Sequence, residues 1–235
     1  MAVQSRFLRS ANNGQLLDDR TLKEALDFQN ELFLIQEKLP LYYKFKLINE
    51  TFWSCILLLI LGIPMMLVAL VIFIKSGAPV LVKQKRIGLN GRPFYTYKFR
   101  TMMNNAPRVV KMGYRPMEKI IDDPRVEGGV GRFLRKYKWD ELPQFFNVIK
   151  GEMNLIGPRP YIYEENYEVT RALAARYAIR PGISGPWQIS GDLNMTPAEK
   201  LQRDNQYIEQ MSLFRDFQIF LGTLKIVFIK GEKRE

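Results

Sequence analysis

Hydrophobic positions along the chain gather into one long block and several shorter periodic stretches. Phe52 to Ile74 is an uncharged apolar run of 23 residues. As a helix it is long enough to cross a bilayer. Ahead of it, residues 1 to about 45 are polar at first and then place Leu22, Leu26, Phe33 and Leu34 among charges, which predicts an amphipathic helix. The opening Met1 to Asn13 lacks an apolar core and a small-residue cleavage site, so it does not read as a secretory signal. After the run, Pro79-Val80-Leu81-Val82 and Phe94-Tyr95-Thr96-Tyr97 have strand character, and Gly88 to Pro93 supplies the turn of a hairpin. Helical patterns return over Pro143 to Lys150, Ile162 to Tyr177 and Thr196 to Met211. The last apolar stretch, Phe214 to Ile229, carries Arg215, Asp216 and Lys225, and predicts an interfacial or core helix rather than a second span. The pattern is that of a helix-rich, mixed α/β protein, without internal repeats or low-complexity segments.

Two features complicate a simple crossing. Gly62 and Pro64 fall near the middle of the run, where proline removes a backbone donor and bends a helix. Lys44 and Lys46 precede the run while Lys75, Lys83, Lys85 and Arg86 follow it, so the positive-inside bias favours cytoplasmic placement of both flanks. A helix that dips in, breaks at Pro64 and returns satisfies both features. A Pro-kinked span satisfies the first and stays open.

Charge narrows the partners. Lys and Arg number 35 against 24 Asp and Glu, giving a net +11 and a pI near 9.7. Such a surplus points to an anionic partner, whether nucleic acid, anionic lipid or a phosphorylated small molecule. Cys55 is the sole cysteine, so no intrachain disulfide forms; within its apolar run it is expected to be a small buried hydrophobe. The sequence contains no His, which excludes imidazole bases, Ser-His triads and His-ligated metals. Any catalyst must therefore use carboxylates, amines, hydroxyls or a metal held by oxygen.

The densest candidate is Arg132-Phe133-Leu134-Arg135-Lys136-Tyr137-Lys138-Trp139-Asp140-Glu141-Leu142-Pro143-Gln144, two carboxylates after a basic cluster. Proline is favoured at the first helical position, which puts Asp140 and Glu141 at a helix start, where dipole and amides favour anions. Ordinary capping accounts for the same pair. With Arg132 and Arg135 close in sequence, ionised carboxylates and a nearby metal-bound diphosphate are both compatible with it. Gly157-Pro158-Arg159-Pro160 is a stiff loop that presents one guanidinium, suited to a phosphate. Arg180-Pro181-Gly182-Ile183-Ser184-Gly185-Pro186-Trp187-Gln188 is a second Gly/Pro-rich loop, a candidate nucleotide contact through Arg180 and Gln188 that lacks the spacing of known phosphate loops.

These segments occur together and in order. With Lys98-Phe99-Arg100-Thr101-Met102, Asp123-Pro124-Arg125, Gly131-Arg132-Phe133-Leu134-Arg135, Asn147-Val148-Ile149-Lys150-Gly151, and Asp204 with Tyr207, the chain resembles the bacterial sugar transferase family of monotopic polyprenyl-phosphate phosphoglycosyl transferases over roughly residues 44 to 230. The resemblance implies three parts: an N-terminal extension at 1–45, a re-entrant membrane helix at 46–75 broken at Pro64, and a catalytic domain at 76–235. It implies attachment to the cytoplasmic face of the bacterial inner membrane, with amphipathic helices at the lipid interface. By the same resemblance Asp140 attacks the sugar-bearing phosphate of a UDP-sugar, UMP leaves, and polyprenyl phosphate then takes the phosphosugar from the aspartyl intermediate. Glu141 is the implied ligand of Mg²⁺, or Mn²⁺, while Lys98, Arg135 and Arg159 are expected on phosphate. Here Ile63 stands where the family often has a serine before the proline, and Tyr137, Lys138 and Trp139 replace small or aliphatic residues before the acidic pair. The sequence leaves open the sugar, the polyprenyl length and self-association into a homo-oligomer. Two rival classes are a non-catalytic basic protein on anionic lipid and a nucleic-acid binder; the apolar run beside the basic residues counts against the second, so no nucleic acid is expected.

Overall fold

The computed structural model of the chain describes residues 19–103, 106, 123–126, 128–163, 173–190, 192 and 195–230. Met1 to Asn13, the middle of the Ile162 to Tyr177 pattern and the side chain of Leu22 lie outside the described residues. Helix α1 (Asp19–Glu37) is amphipathic, as its periodicity predicts. Its buried stripe is Phe28 and Leu32, one turn apart and packed on Leu173, Ala174 and Tyr177, while Leu26, Phe33 and Leu34 are exposed. The stripe follows Phe28 because its ring meets Tyr177 edge-on, at 6.2 Å between centroids.

Helix α2 (Leu41–Ser76) starts directly after Pro40 and runs for 36 residues. Pro64 lies inside it, and the helix is not interrupted there. Proline deletes one donor of the ladder, and the neighbouring turns keep theirs. Only 17% of the most apolar window is buried, which sets this helix apart from the core helix of a soluble protein. Leu59, Ile60, Ile63, Leu67, Leu70 and Ile74 face outward. Cys55 is exposed on the same helix rather than buried, because Ser54 takes the protein-facing position beside it.

Both ends of α2 are tied to one body. Before it, Gln36 donates through Nε2 to Asn90 Oδ1 at 2.8 Å and to the Ala178 carbonyl at 3.0 Å. Within its first half, the Glu50 carboxylate accepts from the amides of Leu155 and Ile156 at 3.0 and 3.2 Å. At its C-terminus, Arg100 donates to the carbonyls of Ser76 and Gly77 at 2.5 and 2.8 Å. Met65 and Ile72 pack on Phe99 and Leu134.

The predicted hairpin follows at once, with strands longer than the apolar stretches that announced them. Strand β1 (Leu81–Ile87) pairs antiparallel with β2 (Pro93–Phe99), in the register Gln84 to Thr96 and Val82 to Lys98. Asn90 and Gly91 turn the chain at φ 57° and 69°, a left-handed pair that Asn and Gly tolerate. Alternation puts Val82, Gln84, Arg86, Thr96 and Lys98 on one face. Helix α3 (Gly128–Lys136) leads through Lys138, at φ 61°, into a 3₁₀ turn (Trp139–Gln144) and the short α4 (Phe145–Ile149).

A parallel pair then forms between β3 (Asn154–Ile156) and β4 (Gly182–Ser184), with α5 (Ala174–Tyr177) on the connection. Their approach is so close that a Cβ at Gly182 would stand 2.1 Å from the Gly157 nitrogen. Helix α6 (Pro197–Glu209) opens with the capping box Thr196/Glu199. Helix α7 (Leu213–Leu224), continued by a π-helical turn to Lys230, buries Asp216 and Ile219 and exposes Leu213, Phe214, Phe217 and Phe220.

Candidate active site

Three backbone elements meet at one carboxylate. The 3₁₀ turn repeats every three residues, so Trp139 and Leu142 share one side and Glu141 and Gln144 another. The first pair packs into the cluster of Met65, Ile72 and Leu134. Turned the other way, Glu141 is 5% exposed and lines a small open depression with Arg86, Thr96, Lys98, Gln144 and Arg159. Lys98 of β2 donates through Nζ to Glu141 Oε1 at 2.7 Å. From the loop after β3, Arg159 donates through Nη2 to the same oxygen at 2.7 Å, and its Nη1 is 3.4 Å from Oε2.

Asp140 precedes Glu141 in the first turn, and the turn begins at Trp139 rather than at Pro143. Its Oδ1 is buried and has no hydrogen-bond partner among the described residues. Burial opposes ionisation of both carboxyls, but the outcomes differ. At Glu141 the charges of Arg159, Lys98 and Lys138 overcome burial and hold the carboxyl well below the usual range. At Asp140 burial and the adjacent Glu141 charge push the carboxyl up, against the pull of Lys98, Lys138 and Arg135. Burial, with Arg159 and Arg86 nearby, pushes Lys98 down to about 8 despite Glu141.

The expected phosphate contacts separate into two groups. Lys98 and Arg159 stand at the acidic pair. Arg135 is half-buried near Asp140, with Nη1 3.5 Å from Asp123 Oδ2, which also accepts from Arg125 Nη2 at 2.7 Å. Arg180 does not join them. Its guanidinium lies over Gly151, where a Cβ would stand 3.3 Å from Nη2, because the bare glycine backbone gives a planar group room to lie flat. Gln188, in a 3₁₀ turn (Gln188–Ser190), also lies outside the depression, with its amide atoms buried beside Gly185 and unpaired among the described residues. Arg86 was read only as a basic flank of the apolar run. It is buried, lines the depression and donates to the Pro160 carbonyl at 2.7 Å; the alternation of β1 was the signal that could have found it.

Among the described residues, no three acidic or thiol side chains converge. Magnesium nonetheless takes only one or two protein carboxylates where phosphates and water complete its shell. The unpartnered Asp140 Oδ1 and the less occupied Glu141 Oε2 fit such a donor set.

A buried glutamate clamped by two cations, with a second carboxyl beside it, stands on an α/β body that also displays one long outward-facing apolar helix. The chain belongs to the bacterial sugar transferase family, which it matches over residues 41–230. It is 41% identical over 162 residues to galactosyl transferase CpsE of Streptococcus agalactiae serotype III, covering 66% of this chain and 36% of that protein. Against undecaprenyl-phosphate galactose phosphotransferase of Salmonella typhimurium it is 34% identical over 182 residues, covering 73% of this chain and 38% of that one. Exopolysaccharide production protein ExoY of Rhizobium meliloti is 39% identical over 185 residues, with 74% of this chain and 80% of the relative covered. The chain thus spans well under half the length of the first two relatives.

Arg159→Ala is expected to cost about 1–3 kcal/mol at neutral pH, since Lys98 remains to pair the buried Glu141. The sign follows from the depressed Glu141 carboxyl: its contribution is present above the unfolded value of 4.5 and fades as pH falls through the folded one. Urea unfolding of both proteins across pH 3–7 checks this, and the gap between them should narrow on acidification.

Proposed function

We propose that the chain is a polyprenyl-phosphate phosphoglycosyl transferase that works on one face of the membrane. The observation carrying this reading is the buried Asp140 Oδ1, without a partner among the described residues, beside a Glu141 already neutralised by Lys98 and Arg159. One carboxylate is committed to cations while its neighbour is free to react. Asp140 attacks the sugar-bearing phosphorus of a UDP-sugar; an O–P bond forms, the P–O bond to UMP breaks, and UMP departs with the electron pair. An oxygen of polyprenyl phosphate then attacks the same phosphorus and releases the Asp140 carboxylate. Proximity supplies much of the rate, since a carboxylate is a weak nucleophile in water. Lys98 and Arg159 bind the phosphoryl oxygens, and the half-buried Arg135 favours the ionised Asp140. Mg²⁺ held by Glu141 would neutralise charge on the diphosphate and on the leaving phosphate. The Salmonella relative's name, which joins undecaprenyl phosphate to galactose phosphate transfer, supports this substrate class.

The same reading places both flanks of α2 on the cytoplasmic side, as a monotopic protein. What supports it is the contact of Gln36 with Asn90, one residue before the helix and one after it. Exposed phenylalanines of α7 supply a second interfacial surface. Cysteines placed at Lys38 and Arg92 in a Cys55→Ala background should label from the same side of the cell membrane. Labelling from opposite sides would establish a span and refute this topology.

A pH profile tests the roles of the charged groups. Asp140 must lose its proton to react, so kcat/KM rises with pH through a carboxyl pushed above its usual range. Lys98 is charged below about 8 and neutral above it, so kcat/KM falls as pH rises through that value. Lys98→Arg should move the alkaline limb upward by more than one pH unit, because guanidinium stays charged; an unmoved limb would clear Lys98 of that role.

The covalent step has a direct test. Intact-protein mass spectrometry after incubation with Mg²⁺ and UDP-sugar, without polyprenyl phosphate, should find a phosphosugar adduct on the wild type. Asp140→Asn should carry none and lose turnover by about three orders of magnitude or more while still binding the UDP-sugar. An active wild type without adduct under rapid quench, together with an active Asp140→Asn, would overturn the assignment.

A further inference from the structure

Resting on the reading of Asp140 and Glu141 as the reacting pair, a further inference concerns what holds Arg159 against them. Three successive carbonyls of its loop are captured. Pro158 O accepts from the Gly182 amide at 2.9 Å, Arg159 O from Arg176 Nη2, and Pro160 O from Arg86 Nη1 at 2.7 Å. Arg176 is itself buried, lies 3.7 Å over the Tyr161 ring, and forms a close ion pair with Asp204 of α6 at 2.6 Å. Just upstream, the amides of Leu155 and Ile156 donate to Glu50. Lys46 donates to Glu50 at 2.6 Å and to Asp216, and Asp216 accepts from Tyr207 of α6 at 2.6 Å.

Two buried polar chains therefore leave one side of α6, from Asp204 and Tyr207 three residues apart, and both end within residues 155–159. Asp204 and Tyr207 carry no reacting role, yet both are among the best-buried side chains of the molecule. A group that must stand within a few tenths of an ångström of its target needs its own backbone fixed. Loss of Arg176 leaves the buried Asp204 without its cation, and loss of Lys46 does the same to Glu50 and Asp216, so neither chain yields easily.

We propose that Glu50 and Arg176 are positioning residues for Arg159, and that through Glu50 the apolar helix α2 forms part of the support of the active site. Neither touches the acidic pair. Glu50 sets the strand that delivers the loop, and Arg176 fixes the carbonyl of the arginine itself. A purely stabilising role would leave the relation between Arg159 and Glu141 unchanged in any variant that still folds.

The test uses the full chain in lipid nanodiscs. Glu50→Gln keeps size but turns one acceptor into a donor facing an amide; Arg176→Lys keeps a cation beside Asp204 but reaches only one of two partners. Where Glu50→Gln does not fold, Glu50→Asp replaces it. Glu141 titration is followed by carboxyl ¹³C shifts, assigned with Glu141→Gln. In folded variants the Glu141 titration should move upward, toward that of Arg159→Ala; titration as in the wild type in both overturns the proposal. In the second arm, UMP release is measured from UDP-glucose and UDP-galactose with Mg²⁺ and undecaprenyl phosphate. Glu50→Gln should lower kcat/KM about tenfold in the wild type but less than about twofold in an Arg159→Ala background. Equal losses in both backgrounds overturn the proposal. A wild type that releases UMP from neither of these nor from any other UDP-sugar speaks against the transferase reading, and the titration then decides the positioning role alone.

Discussion

Glu141 cannot be buried alone. Removing a carboxylate from water costs several kcal/mol unless cations meet it with good geometry, and the two that do so come from distant parts of the chain. Lys98 is delivered by a hairpin strand and Arg159 by the loop after a parallel strand, each 2.7 Å from the same oxygen. That requirement fixes where the hairpin, the 3₁₀ turn and the β3 loop can stand relative to one another. It also divides labour within the acidic pair. With Glu141 held ionised, its charge adds to burial in raising Asp140, so two adjacent carboxyls acquire different properties without any difference in chemistry.

The apolar helix and the charged site belong to one construction. Trp139 and Leu142, which flank the acidic pair, lie in the cluster formed with Met65 and Ile72 of α2. In the other half of the same helix, Lys46 is fully enclosed and bridges Glu50 and Asp216. A lysine without solvent needs its carboxylates as much as they need it, and the three join α2 to α7 and to β3. The outward apolar surface thus sits on a helix whose inward face is partly ionic.

Much of this was legible from residue order. The hairpin was announced by two stretches of strand character around Gly88 to Pro93, and the acidic pair by its place between a basic cluster and a proline. Those signals are local, and local signals survive reading without a structure. What escaped depends on distant contacts. Strands β3 and β4 have three residues each and pair across an intervening segment, too short for any periodicity to register. Arg180 points over Gly151, a direction no spacing announces. Periodicity does not settle which face of α1 is buried, because Leu26, Phe33 and Leu34 compete with Phe28 and Leu32, and only the position of Tyr177 decides between them. Pro64 carried a strong local signal for a break, and the helix continues past it.

Within Trp139–Gln144 the geometry counts in threes. Each residue advances the turn by about a third of a revolution, so apolar and acidic positions alternate on a fixed grid. One inserted residue between Trp139 and Glu141 would rotate the carboxylate out of the depression and bring a neighbour into its place. Substitution can change the character of this segment, as Trp139 illustrates. A change in its length moves the carboxylate off the side that Lys98 and Arg159 meet.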